Sequence, residues 1–568
     1  MSPKRLRYRI DATRLGITAT VLLAGCGRPE PQVGGSESTQ AGPTSPAGNA
    51  AAPPTTGGGA WFLDVTETSG VDFGHEWGPT PERHLPETMG GGGALLDVEN
   101  DGDWDLYLIQ SGSLPTEPNP PRDDEPPNQL FQNAGDGTFL DVTDRAGAAA
   151  HRGYGQGVAA GDIDGDQLED LYVTNFGPDV LFGNAGDLSF DDLTESSGIS
   201  DDRWTTGAVF FDADSDGDLD LFVTGYVAID PSNPVYCGRQ GAGLRAYCNP
   251  DQYEGLRDRL WINDGQGAFI DGSSAAGLTD TAGKGLGALA ADFNGDGRLD
   301  VYVANDSVEN RLWTQGPDGV FNDATLLSGT GVNANGMSEA GMGLAAGDVD
   351  RDGDLDLFVT NLDEESNTLY RNDGEWFTDV TARAGLDAAS RPWVGFGAVL
   401  EDFDLDGDLD LAIANGHILH NIDRYHEGRT WAQPMSLYEN DGEGRFDTAN
   451  HRLGPIANQS FVGRALLPGD LDGDGDSDLV LVQCGRTARI LFNQTPLDRP
   501  SLRVIGAGTG TTFQGPGDSL WLSSAGPSYY GRGAPEILFV PNSLPEAPPG
   551  PIQGEGARRW IDLRSSRR

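Results

Sequence analysis

Residues 97–109 read Asp97-Val98-Glu99-Asn100-Asp101-Gly102-Asp103-Trp104-Asp105-Leu106-Tyr107-Leu108-Ile109, an alternating acidic loop that runs straight into an apolar segment. The arrangement returns six times. The second copy carries Asp162, Asp164, Asp166 and Asp170, and the third carries Asp212, Asp214, Asp216 and Asp220. The fourth has Asp292, Asn294, Asp296 and Asp300, and the fifth has Asp348, Asp350, Asp352 and Asp356. Asp402, Asp404, Asp406 and Asp410 form the sixth, and Asp470, Asp472, Asp474 and Asp478 the seventh. Side-chain oxygens thus recur at positions 1, 3, 5 and 9 of each nine-residue window, as with Asp97, Glu99, Asp101 and Asp105 in the first. Glycine fills position 6, where a sharp turn is needed, in every copy except the second, which has Gln167.

This register asks for a hard cation. Ca²⁺ takes about six to eight oxygen ligands at about 2.3–2.6 Å, and alternating carboxylates on a tight loop converge on one point. Without an ion, two carboxylates about 5 Å apart repel by about 3 kcal/mol at an effective dielectric near 20. Mg²⁺ suits the pattern less well, because it demands stricter octahedral geometry. The expected cofactor is therefore calcium, up to one ion per loop. An EF-hand is excluded, since it needs a bidentate Glu at position 12 and flanking helices. Position 12 here is Leu108, Val173, Val223, Val303, Val359, Ile413 or Leu481, inside strand-like runs such as Leu171-Tyr-Val-Thr and Leu357-Phe-Val-Thr.

The windows hold 33 of the chain's 88 acidic residues, and the formal net charge is −51. A net charge of that sign disfavours nucleic acid, with its dense run of phosphates, as a partner. Between the loops three further elements recur. One is an apolar-aromatic strand ending in Asn, as in Leu130-Phe-Gln-Asn133, Leu260-Trp-Ile-Asn263 and Leu437-Tyr-Glu-Asn440. Another reads Phe139-Leu-Asp-Val-Thr143 or Phe377-Thr-Asp-Val-Thr381. The third is a small-residue strand entering the next loop, such as Gly157-Val-Ala-Ala-Gly-Asp162. With the strand after each loop, this makes four short strands per repeat, the composition of a propeller blade. The fold predicted is all-β, a seven-bladed β-propeller. The last repeat ends at Leu491-Phe-Asn493 without its fourth strand, and Phe62-Leu-Asp-Val-Thr66 supplies one ahead of the first loop. A ring closed by its N-terminal strand has no open sheet edge.

The Gly-x-x-x-x-Gly-Asp-x-Asp-x-Asp repeats resemble FG-GAP/VCBS repeats, the type found in integrin α propellers. Leu85-Pro-Glu-Thr-Met-Gly-Gly-Gly92, Tyr236-Cys237-Gly238 and Asn415-Gly-His417 resemble, more narrowly, the bacterial relatives of cartilage acidic protein, the ASPIC/UnbV group. The resemblance spans roughly residues 61–500 and implies calcium binding and surface recognition, with no established reaction. In that group a small β-rich domain follows the propeller. Residues 501–568 depart from its usual signature, although Leu502-Arg-Val-Ile and Ser519-Leu-Trp-Leu-Ser suit two of its strands, and they are read as a degenerate version.

The domain plan is a signal peptide over 1–26, a Pro/Gly/Ser linker over 27–59, the propeller over 60–500 and the C-terminal region over 501–568. A basic start (Lys4, Arg5, Arg7, Arg9) precedes an apolar run from Leu15 to Leu23, too short to span a bilayer as a helix. Leu23-Ala24-Gly25-Cys26 looks like a lipobox, which makes Cys26 the lipidated residue and membrane anchor. Gly27 after it favours the outer membrane or cell surface. Residues 27–59 hold almost no apolar side chain beyond alanine and read as a flexible tether. Cys237 and Cys248 bracket a Gly-rich insertion and are expected to form a disulfide in an exported protein, leaving Cys484 as a buried thiol.

Two clusters are candidates for chemistry, the first as a metal site and the second as an acid/base cluster. His417, His420, His426 and Asp423 lie close together, as do His75, Glu82, His84 and Glu87. Neither is spaced with a nucleophile, and both read more simply as polar rim loops. No Gly-x-Ser-x-Gly, P-loop or dinucleotide fingerprint occurs. The sequence therefore favours a surface module that binds protein or polysaccharide and is not an enzyme. A propeller enzyme acting on a glycan or small molecule through the 75–90 or 417–426 insertions is the alternative.

Overall fold

The computed structural model describes residues 59–114, 125–149, 153–278, 282–374 and 376–496, together with the backbone of five strands between 502 and 561. Seven four-stranded antiparallel sheets follow one another along the chain as the blades of a propeller. Blade 2 is representative, with strands Tyr154–Gly161, Asp170–Phe176, Val180–Asn184 and Phe190–Asp192. Each acidic loop joins the first strand of its blade to the second.

The expected closure is present. Phe62–Asp64 pairs antiparallel with Arg489–Asn493, Phe62 opposite Asn493 and Asp64 opposite Leu491, and so supplies the fourth strand of blade 7. Blade 7 packs on blade 1 through Val480, Val482 and Ile490 against Leu106, Leu108 and Phe131. Similar cores lie between the other neighbouring pairs, for example Tyr172 and Leu181 of blade 2 with Phe210 and Trp261 of blade 3. A middle strand covered on both faces has no polar side to present. This is why the second strands are buried almost throughout, Asp220–Gly225 at every position, and carry apolar side chains on both faces at their centres, as in Leu221-Phe222-Val223. The Phe-x-Asp-Val-Thr element has its own logic. Asp141 accepts from the Thr143 amide and hydroxyl, and Thr143 Oγ1 accepts from the Leu130 amide, which fixes the fourth strand to the third.

The small-residue strands line the axis, where neighbouring blades come closest. A Cβ on Gly157 would lie 2.6 Å from the carbonyl oxygen of Thr206, and one on Gly343 2.0 Å from that of Phe396. Side chains are excluded there by contact with the next blade, not by turn geometry. An insertion of blade 3 forms a small hairpin, Cys237–Arg239 with Leu244–Ala246, held by the Cys237–Cys248 disulfide. Cys484 is a buried free thiol, and burial pushes its pKa up to about 11. Beyond the ring, strands Leu502–Gly506, Thr509–Phe513, Glu536–Phe539, Ile552–Gln553 and Trp560–Ile561 form one antiparallel sheet. Cys26, the signal peptide and linker up to Gly58, and the strand expected at 519–523 lie outside the described residues.

Candidate metal centres

Each acidic loop is wound around its own carboxylates. In the first, second, fourth, fifth and sixth loops the position 1 side chain accepts from the amides of positions 5 and 6, as Asp348 does from Asp352 and Gly353 at 3.1 and 3.0 Å. Position 5 accepts from the amide of position 7, as Asp406 does from Asp408 at 3.0 Å. Position 9 is the most embedded. One oxygen of Asp170 accepts from the amide of Ile163 at position 2, and the other from the amide of Asn184 at the end of the third strand. The same two bonds are made by Asp105, Asp220, Asp300, Asp356, Asp410 and Asp478.

Carboxylates at positions 1, 3 and 9 come together in four loops, with one oxygen from each lying within 4.8 Å of the others. These are Asp162, Asp164 and Asp170; Asp212, Asp214 and Asp220; Asp348, Asp350 and Asp356; and Asp402, Asp404 and Asp410. In the seventh loop the converging set is Asp470, Asp472 and Asp474, at positions 1, 3 and 5, and Asp478 lies outside it. Asp166, Asp216, Asp352 and Asp406, all at position 5, stand apart from the four triads. Among the described residues the first and fourth loops bring no three carboxylates so close. Glu99 replaces the shorter Asp at position 3 of the first loop, where Gln132 Nε2 contacts it, beside Asp97, Asp101 and Asp105. The fourth loop has the amide of Asn294 among Asp292, Asp296 and Asp300.

The donor set fits a hard divalent cation. Oxygens of Glu99, Asp350 and Asp404, all at position 3, are buried without a hydrogen-bond partner. Burial, with the neighbouring carboxylates adding to it, raises the position 9 acids. Asp220 and Asp300 are held at about 7, Asp105, Asp170 and Asp356 at about 8, and Asp410 at about 9. Asp402 rises to about 7 and Asp404 to about 6 for the same reasons. A cation in such a loop supplies the charge that the loop otherwise lacks.

Three features escape a position-by-position reading of the sequence. Asp476, at position 7 of the seventh loop, is fully buried with neither carboxylate oxygen hydrogen-bonded, and its pKa is raised to about 9, first by burial and then by Asp474. The second is position 4, which takes a left-handed backbone in every loop even where Asn100, Ser215, Arg351 or Leu405 occupies it. The third is the strand-ending Asn. Asn184 Nδ2 donates to the Val98 carbonyl in the preceding loop, Asn263 to Ile163, Asn372 to Phe293, Asn440 to Val349 and Asn493 to Phe403. Gln315 does the same to Ala213, and Asn133 to Leu471 completes the circle between the first and last loops.

The insertion residues are occupied otherwise. His75 Nδ1 accepts from the Gly485 amide, so Nε2 carries the proton and donates to Ser111 Oγ, which donates in turn to the Gly155 carbonyl. That chain runs opposite to the one a serine nucleophile needs. Glu87 is buried, accepting from Thr80, the His84 amide and Tyr247, and burial raises its pKa. His417 accepts from the Leu419 amide and His420 contacts Arg83, each with its pKa lowered to about 4, chiefly by burial. No group of three potential metal ligands includes His417, His420, Asp423 or His426, nor His75, Glu82, His84 or Glu87, among the described residues.

Similarity to known proteins follows the same repeats. The FG-GAP-like repeat matches residues 97–173, 162–223, 248–303, 292–359 and 348–413, together just over half of the chain. Cartilage acidic protein 1 of Xenopus tropicalis is 23% identical over 420 residues, which cover 62% of this chain and 60% of that protein. The Homo sapiens protein is 23% identical over 445 residues, covering 66% and 63%. The chain therefore spans less than two thirds of the length of these relatives. A solved Agrocybe aegerita lectin structure, described as recognising non-reducing terminal N-acetylglucosamine, overlaps with a TM-score of 0.37 at 15% identity, covering 65% of this chain and 84% of that one, too loosely to bear on function.

Proposed function

Because the chain belongs to the FG-GAP-like repeat family, we propose that it is a calcium-holding binding or adhesion propeller displayed on the cell surface through a lipid on Cys26. The observation that carries the calcium reading is the convergence of three carboxylates in each of five loops, from positions 1, 3 and 9 in four of them and from positions 1, 3 and 5 in the seventh. Calcium at these loops neutralises buried carboxylates and fixes the loop that joins the first two strands of each blade. The ions thus serve the scaffold, and recognition falls to the insertions at the opposite ends of the strands. The partner class is a surface protein or a polysaccharide, and the role proposed is binding, not catalysis. Two measurements test the reading. The full-length chain should melt at a clearly higher temperature in calcium than in chelator, by mass action on the folded state. Cys26→Ser should move the protein from the membrane fraction to the soluble exported fraction. Equal melting with and without calcium would remove the metal from the proposal, and membrane retention of Cys26→Ser would remove the anchor.

A further inference from the structure

At the ends of the strands opposite the acidic loops, three insertions and one tight turn bring aromatic rings and arginines into one cluster. Trp77 and Trp431 stack with ring centroids 5.2 Å apart and planes tilted by 30°. His420 stands edge-on to both, at 5.6 and 6.2 Å, and Tyr247 lies 5.9 Å from His420. Arg83 contacts His420 and lies over Tyr247, while Arg486 lies over Trp431 at 5.6 Å. Trp77, Trp431, His420 and Arg83 are half-buried, and Arg486 is exposed.

Two aspects set the cluster apart from ordinary rim packing. The chain carries 88 acidic residues against 37 basic ones, yet neither Arg83 nor Arg486 forms an ion pair with a carboxylate among the described residues. Both guanidinium groups lie over aromatic rings instead, Arg83 also against His420 and Arg486 also donating to the Ser460 carbonyl at 3.3 Å, which orients them without a carboxylate partner. Arg83 is also held at a φ of +55°, a conformation that costs a residue with a Cβ and points to a constraint on where its side chain goes. Half-exposed indoles suit the apolar faces of sugar rings, and planar guanidinium groups suit carboxylates.

We propose that Trp77, Trp431, His420, Tyr247, Arg83 and Arg486 form a binding site for an acidic polysaccharide, with sugar rings on the indoles and uronate carboxylates on the two arginines. This rests on the reading of the propeller as a binding module and names its ligand class. A partner protein presenting an acidic peptide offers carboxylates but no ring faces, so the tryptophans favour the glycan.

The test titrates the full-length protein, in calcium, with polygalacturonate oligomers, neutral dextran and polyglutamate. Polygalacturonate alone should bind. Trp431→Ala and Arg486→Gln should each weaken it by about tenfold or more, as truncation of a buried anchor or loss of a charge pair does. Arg445→Gln, an exposed arginine in another turn, should not change it. Melting curves distinguish a misfolded Trp431→Ala from a weakened site, and the exposed Arg486→Gln carries the test in either case. Binding of polyglutamate as tight as that of polygalacturonate, or polygalacturonate binding that Arg486→Gln and Trp431→Ala both leave intact, overturns the site. In the second outcome the binding-module reading stands, because the chain still holds a ligand elsewhere. Absence of binding to all three probes also overturns the site, and the module itself is then judged by pull-down of the intact chain with and without calcium.

Discussion

Gln167 sits at a φ of +76° in the place where the other six loops have glycine. A side chain in that left-handed region costs about 1–2 kcal/mol, whereas glycine enters it freely. Gln167 is exposed, and its amide bond to Asp162 needs only the backbone. Gln167→Gly should therefore stabilise the protein by about 1 kcal/mol, less the added freedom of the unfolded chain, and raise the melting temperature. A lowered midpoint would show that the loop does not need this turn. Position 4 is left-handed too, but glycine fills it only at Gly165, Gly295 and Gly473, so the sequence did not disclose it. The ligands separate at the same scale. An oxygen of Asp404 is buried without a partner, whereas Asp408 is ion-paired to Arg351 of the neighbouring loop. Asp404→Asn should shrink the calcium-dependent rise in melting temperature well beyond Asp408→Asn, and the gap should close in excess chelator. Equal losses would place Asp408 among the ligands. Asp404 is a cleaner probe than Asp406, whose carboxylate also holds the amide of Asp408.

Between elements, the strand-ending Asn is the joint. Its backbone amide is held by the position 9 carboxylate of its own loop, and its side chain reaches the position 2 carbonyl of the loop before. Asn184→Ala strips the donor from the buried carbonyl of Val98, a cost of about 1–3 kcal/mol. It should also weaken calcium at both the first and second loops, whereas Gln315→Asn should be tolerated, since both side chains carry a terminal amide. Denaturant titrations with and without calcium read both effects, and an Asn184→Ala variant as stable as wild type would reduce the relay to a geometric coincidence. The Asn was visible in the sequence as a repeated mark at the end of Leu-Phe-Gln-Asn133 and its kin. Its role was not, because the partner lies 86 residues away in the case of Asn184 and Val98, and no local pattern encodes that pairing. The blade count and the Phe62–Asp64 closure were legible for the opposite reason. Four short patterned strands recur in a fixed order, and a strand missing at one end of the array is present at the other. The insertions repeat nowhere, so the meeting of Trp77 with Trp431 had no periodic signal to announce it.

For the whole molecule, a ring of buried carboxylates makes stability depend on pH in a direction opposite to that of an ordinary salt-bridged protein. Burial holds six of the position 9 acids at about 7 to 9, above their ordinary value of 3.8, and raises the seventh, Asp478, in the same direction. The folded chain then binds more protons than the unfolded one, so without metal its stability is fullest below about pH 4 in these groups and falls as pH rises through about 9. In chelator the melting temperature should be lower at pH 8 than at pH 6, and calcium should flatten that slope by replacing protons as the source of positive charge. A chelator-treated protein more stable at pH 8 would mean that these acids ionise freely. The most direct measurement is the number of calcium ions retained by the full-length chain, taken by metal analysis after dialysis against calcium and again after dialysis against chelator. Retention of at least five and no more than seven ions per chain, unaffected by excess magnesium, is the expected result, five being the number of loops in which three carboxylates converge. A chain that retains one ion or none, and melts at the same temperature in both dialysates, would contradict the proposal that these loops are calcium sites.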